Sequence, residues 1–204
     1  WIDAYAMAGG EVGIDAPRVR LQATLAPTGQ QAVNQSRNVD QFIREFILRD
    51  EEGSLGLLTS DTLGPFVVSS MAELRQTWRV GTKPIVTGGG FWVARHFNAN
   101  WGTFQTEDPA AAGYVSISTD DDDAVFERET IMASGPHGGF RSPQPAITFR
   151  VVEGELDRGS SVTITYGDRS QGGSGIMTPT FESERMPLPL YVDLDGSSEW
   201  RSLP

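Results

Sequence analysis

Apolar and polar positions alternate with a period of two along much of this chain. Residues 76–80 place Trp78 and Val80 on one face. Residues 91–97 put Phe91, Val93, Arg95 and Phe97 on one face and Trp92, Ala94 and His96 on the other. Ile147, Phe149 and Val151 alternate, as do Val162, Ile164 and Tyr166 with Thr163 and Thr165 between them. β-branched and aromatic residues at every second position suit a pleated, half-buried strand. Further strands are predicted over 18–25, bounded by Pro17 and Pro27, over 114–118, leading into an acidic turn, and over 188–194. Pro189 cannot donate to a ladder, which predicts an edge or a bulge for the last of these. One stretch reads two ways. Val39, Phe42, Ile43, Phe46 and Ile47 have helical spacing behind a capping box of Asn38 and Gln41. Yet 45–50 and 54–59 around the turn at 51–53 also read as a hairpin.

The runs are short, their separators are rich in Gly, Pro and Asp, and no strand–helix alternation appears. The sequence holds 23 Gly and 12 Pro, which favours many turns over long helices. The expected fold is all-β: a two-layer antiparallel β-sandwich with long Gly/Pro-rich loops and at most one or two short helices. Residues 1–204 read as one domain, in which 1–65 is the part open to being an N-terminal extension. The chain begins at Trp1 without a Met and is expected to be a fragment of a longer protein.

Charge and composition narrow the function classes. A formal net charge of −11 repels phosphate backbones, so nucleic acid and anionic membrane are not expected partners. No stretch approaches the ~18 apolar residues of a membrane span. The absence of Cys excludes disulfides, thiol catalysis and zinc–thiolate sites. His96 and His137 are the two histidines, and neither stands in a zinc-ligand spacing. No Gly-x-Ser-x-Gly elbow marks a hydrolase nucleophile. No catalytic residue, metal or cofactor is therefore assigned.

Three segments are candidates for chemistry. Asp120, Asp121, Asp122 and Asp123 offer the oxygen ligands that calcium favours, although consecutive side chains diverge on an extended backbone. The ordinary alternative is a solvated hairpin tip. Residues 166–175, Tyr-Gly-Asp-Arg-Ser-Gln-Gly-Gly-Ser-Gly, form a glycine-rich loop after a strand. It either binds an anion through backbone N–H groups or is a turn that needs positive φ. Trp78, Trp92, Trp101, Phe91, Phe97 and Phe104 cluster in one third of the chain, as core or as stacking platforms. Segments 92–108 and 167–175 are expected to share an interaction face carried by Trp92, Arg95, His96, Trp101, Gln105, Asp168 and Arg169. In the alternative, Asp168 and Arg169 pin the loop over buried Trp rings.

Several blocks recur in a definite order: Gln-Thr-Trp at 76–78, Gly-Gly-Gly at 88–90, Trp-Gly-Thr-Phe-Gln-Thr-Glu-Asp-Pro at 101–109, and Tyr-Val at 114–115. Gly-Glu-Leu at 154–156, Tyr-Gly-Asp-Arg-Ser at 166–170, Gly-Ser-Gly at 173–175, Thr-Phe at 180–181, Tyr-Val-Asp at 191–193 and Leu-Pro at 203–204 follow. From Phe66 onward this order resembles the N-terminal region of the family called domain of unknown function 3604. The resemblance implies a β-rich region preceding a domain similar to the polymerase-and-histidinol-phosphatase metal hydrolases, whose His/Asp motifs are not in this sequence. It implies a non-catalytic accessory domain whose partner is that C-terminal hydrolase-like domain, in the periplasm or outside the cell. An independent carbohydrate-binding module is the first alternative and a small stand-alone hydrolase the second.

Overall fold

The computed structural model describes residues 54–62, 64–95, 100–135, 139–183, 186 and 188–203, with the backbone course alone for 133–135 and 139–144. All of them belong to Leu48–Pro204, the larger of two units into which the chain divides. The expected strand at 18–25 and the helix-or-hairpin stretch at 38–53 lie outside the described residues, as do His96 and His137.

Two antiparallel sheets carry the fold. The first contains β1 (Gly56–Ser60), β3 (Leu74–Val80), β10 (Ser161–Tyr166) and β6 (Val115–Thr119), side by side in that order. The second contains β13 (Arg201–Ser202), β12 (Leu190–Asp193), β5 (Gly90–Val93), β8 (Gly139–Glu153) and β7 (Val125–Gly135), again in that order. Two short ribbons pair β2 (Met71–Ala72) with β11 (Ile176–Met177), and β4 (Ile85–Val86) with β9 (Glu155–Leu156). The fold is the expected all-β antiparallel sandwich. Among the described residues there is no helix, and none long and apolar enough to cross a membrane.

Alternation explains which faces meet. In the first sheet Trp78 sits opposite Val162, and Leu74 opposite Tyr166. In the second, Phe91 lies between Phe149 and Val192, and Val93 between Ile147 and Leu190. These side chains form one continuous core. Trp78 meets Phe91 edge to face across the sheets, with ring centroids 5.4 Å apart, and Phe91 stacks on Phe149 at 5.1 Å. Each such side chain contributes roughly 1.5–3 kcal/mol by leaving water. Polar atoms carried inward are paired. The Trp78 indole N–H donates to the Leu55 carbonyl at 2.7 Å, and the Tyr166 hydroxyl donates to Gln76 Oε1 at 2.8 Å. Complete burial pushes the Tyr166 phenol pKa above its ordinary value.

Three expectations change. β12 is not an edge strand, because the two-residue β13 pairs along its outer side and Pro189 precedes its first residue. Residues 120–124 do not close a hairpin, because β6 and β7 lie in different sheets and the acidic turn passes between them. β7 is a long strand that periodicity did not predict, since Glu127, Arg128, Glu129 and Thr130 are all exposed at the sheet edge.

Candidate functional site: a cleft at the open edge of the sandwich

Where β1 ends the first sheet, the two layers stand apart and leave a cleft of about 1070 Å³. Leu58 and Leu74 line it from the first sheet; Leu188, Pro189 and Leu203 line it from the β12–β13 side. Trp101 and Met186 contribute further apolar wall. Gln76 brings a polar group and ties the layers together, its Nε2 donating to the Leu188 carbonyl at 3.1 Å.

Two segments form the lips. One carries Pro65, Phe66, Val67 and Val68; the other carries Pro179, Phe181 and Glu182. Phe66 is 38% exposed, Val67 73%, Val68 39% and Phe181 45%, so four large apolar side chains face water around one opening. Contiguous exposed apolar surface on a soluble domain marks an interaction site more often than single exposed residues do.

The lips are held in place by hydrogen bonds. The buried Thr178 hydroxyl donates to the Val67 carbonyl at 2.7 Å and accepts the Ser70 N–H at 2.9 Å. The Thr178 N–H reaches the Ser70 carbonyl at 2.8 Å, and the Ser69 N–H reaches the Pro179 carbonyl at 3.0 Å. Asn100 braces the second lip, donating from Nδ2 to Thr180 Oγ1 at 2.7 Å and accepting the Thr180 N–H at 3.1 Å. Ser69 adopts a positive φ of 53°, which turns the first lip back toward β2.

Of the described residues singled out by sequence, Trp101 lines the cleft, and Trp92, Arg95, Gln105, Asp168 and Arg169 do not. The loop 167–175 bonds to residues 113 and 114, beyond the expected segment 92–108: Asp168 N–H donates to the Tyr114 carbonyl at 3.0 Å and Gly113 N–H to the Gly175 carbonyl at 2.9 Å. Trp92 and Trp101 are each only 4% exposed, so neither ring is a stacking surface. Trp92 instead packs on Tyr191 and Trp200 over the outer face of the second sheet, because β5 is buried on both sides. Neither Trp92 Nε1 nor Trp101 Nε1 has an acceptor among the described residues.

Polar members of that region hold the chain to itself. Arg95 Nη1 donates to the Trp101 carbonyl at 2.7 Å, and desolvation lowers its pKa. Gln105 closes a turn, its Oε1 accepting the N–H groups of Glu107 and Asp108. Asp168 accepts from the Ser116 hydroxyl and the Ser170 N–H, which hold its carboxyl below the usual range. Arg169 donates from Nη2 to the Met71 carbonyl at 2.8 Å, and its N–H reaches Glu73 at 3.0 Å. The two charges thus pin the loop, and do so without pairing with each other. Gly175 has φ of +103°, and a Cβ there would stand 2.6 Å from the Ala72 carbonyl oxygen. Glycine at this position is required by the bend and by the close approach of the Ala72 backbone.

The acidic run is likewise put to internal use. Asp121 accepts the Asp157 N–H and the Ser160 hydroxyl, each at 2.8 Å, and Asp120 accepts the Ser161 N–H. The Asp157 N–H is the main cause of the lowered Asp121 pKa. Two of the four carboxylates therefore cap the turn before β10. Among the described residues, no three acidic or histidine side chains converge as metal ligands.

No known family model matches the chain, and no curated protein does. Among solved structures it is similar to the CBM3a-L domain, with flanking linkers, from scaffoldin cipA of the Clostridium thermocellum cellulosome. Identity is 10%, over 72% of this chain and 88% of that one, with a TM-score of 0.39. It is also similar to the family 3a carbohydrate-binding module from the cipA scaffolding, at 10% identity over 69% and 97% with a TM-score of 0.33. At these scores the sandwich assignment rests on the strand pairing of this chain itself.

Proposed function

We propose that this chain is a non-catalytic accessory domain of a larger periplasmic or extracellular protein, and that it docks a partner domain through the cleft. The observation that carries this reading is the ring of Phe66, Val67, Val68 and Phe181, held exposed around an apolar opening by bonds that include the buried Thr178. Aromatic side chains at the centre of such a surface supply most of the binding energy in protein interfaces. Leu203 lines the same cleft, its N–H bonded to the Leu190 carbonyl at 3.0 Å. The partner of this reading is the metal-dependent hydrolase-like domain that the family resemblance implies, with catalysis carried by that domain.

The test uses the segment of the parent reading frame that follows residue 204, produced as a separate protein. Calorimetric titration into this chain should show association, and Phe66→Ser combined with Phe181→Ser should weaken it at least tenfold. Absence of association overturns the reading. Carbohydrate is the competing ligand. Retention of the chain on an insoluble polysaccharide, lost in the same double variant, would assign the cleft to sugars instead.

A further inference from the structure

The outer faces of the two sheets differ. On the second, Trp92, Thr148 and Tyr191 are all buried. On the first, Trp78, Val162, Ile164 and Tyr166 fill the core, so the residues between them point away from it. The strand register sorts these outward residues into rows that cross the strands. Thr59 stands opposite Thr77, Thr77 opposite Thr163, and Thr163 opposite Ser118, which places one hydroxyl on each of four strands. The row on one side holds Arg75, Thr165 and Ser116, and the row on the other holds Leu57, Arg79 and Ser161. Neighbouring strands lie ~4.8 Å apart and successive rows ~7 Å apart, so the face is a grid of hydroxyls flanked by two guanidinium groups. Thr59, Arg75, Arg79 and Ser118 are exposed, and Thr77 and Thr163 are half-buried.

Hydrogen bonds within the grid fix its hydroxyls. Thr77 Oγ1 donates to Asp61 Oδ2 at 2.5 Å, and Thr163 Oγ1 lies 3.3 Å from Thr77 Oγ1. With the Thr77 proton committed to Asp61, Thr163 is the donor of the second bond. Thr59 Oγ1 donates to the Thr77 carbonyl at 3.2 Å, and Ser116 donates to Asp168. Each of these hydroxyls keeps acceptor lone pairs for a ligand. Arg79 supplies donors beside them, and Arg75 is anchored to Glu73 at 2.7 Å. This chemistry narrows the occupant. Protein interfaces centre on aromatic and apolar side chains and are depleted in Ser, whereas in these rows Leu57 alone is large and apolar. Asp61 and Asp168 border the same grid as the two arginines, so its charge is balanced and offers no field to a polyanion. A neutral polymer of sugars presents hydroxyl donors and acceptors at short, regular intervals, as the grid does.

We infer that the outer face of the first sheet binds a neutral polysaccharide laid across its four strands, along the row from Thr59 to Ser118. A single hydroxyl contact exchanged with water contributes little. Affinity comes from a chain that meets several positions of the grid together. Thr77, Thr163, Ser118 and Arg79 do not line the cleft, so the inference stands apart from the docking reading.

The probes are microcrystalline cellulose, chitin and insoluble mannan, with silica as the control surface. The chain should be retained on one or more of the polysaccharides and not on silica. Thr163→Val combined with Ser118→Ala removes hydroxyls from the middle row and keeps residues that a strand accepts. It should weaken retention roughly tenfold, a change of about 1.4 kcal/mol, whereas Phe66→Ser combined with Phe181→Ser, at the cleft, should leave retention unchanged. Retention on none of the polysaccharides overturns the inference, and so does equal retention on silica. Retention lost in the Phe66 and Phe181 variant but kept in the Thr163 and Ser118 variant assigns sugar to the cleft and overturns it too. Where the Thr163 and Ser118 variant loses stability, Arg79→Gln, an exposed change on the same face, decides, and undiminished retention then counts against the inference.

Discussion

The middle of the sandwich and its open edge are built from similar residues put to different ends. In the middle, Phe91 is fully buried among Phe126 and Phe149 of its own sheet and Trp78 of the other. At the edge, Phe66 and Phe181 are 38% and 45% exposed. Burial of apolar area stabilises the fold only where a partner surface exists. The edge therefore adds less to stability than the middle does, and on the docking reading its apolar surface is kept for a partner.

The contrast breaks most sharply at Phe91. Phe91→Ala should cost about 3–5 kcal/mol, read from urea unfolding, because it empties a site filled from both layers. A cost below about 1 kcal/mol would show that the middle is not close-packed. Two tryptophans sharpen the comparison next. Trp78→Phe gives up the bond to the Leu55 carbonyl, while Trp101→Phe, at the cleft, gives up none. The first variant should be less stable than the second by about 1 kcal/mol, the usual net worth of a hydrogen bond. Equal costs would mean that the Leu55 carbonyl finds another donor.

A smaller effect is expected at Asp168, beside the loop. Its folded-state pKa lies below the usual carboxylate value because of the Ser116 hydroxyl and the Ser170 N–H. A depressed carboxylate stabilises the fold above its unfolded pKa of about 3.9 and loses that contribution as pH falls through the folded value. The difference in urea midpoint between the parent chain and Asp168→Asn should be present at neutral pH and close in acid. A gap that widens below pH ~4 would contradict it. The smallest change belongs to the lips. Phe181→Ser should shift stability by no more than about 0.5 kcal/mol, as exposed substitutions usually do. A loss of several kcal/mol would make Phe181 part of the core.

The legible strands were those whose alternation is strict. β3, β5, β10 and the later half of β8 carry an aromatic or β-branched residue at nearly every inward position. β7 escaped because an edge strand exposes both faces over Glu127 to Thr130, leaving no period to read. β13 is two residues long, below what any pattern registers, and without it Pro189 made β12 look like an edge. Trp92, left open between a stacking surface and core, shows a related limit. Alternation separates two faces of a strand but does not say that both will be covered, as both are in β5. The cleft left almost no sequence signal. Gly-Pro-Phe-Val-Val at 64–68 has no strand period, and its position opposite 178–182 is set by Thr178, more than a hundred residues away.

That single hydroxyl also bears on kinetics. Because Thr178 bonds to both Val67 and Ser70, the rim of the cleft is set during folding, before any partner arrives. An incoming segment then has no loop to order on this side, and that part of the entropic cost is already met. Association should proceed in one phase, within the ~10⁵–10⁷ M⁻¹s⁻¹ common for docking of preformed surfaces. Thr178→Val would leave the lips joined only by the backbone bonds of Thr178 to Ser70 and of Ser69 to Pro179, and should slow association by loosening the rim.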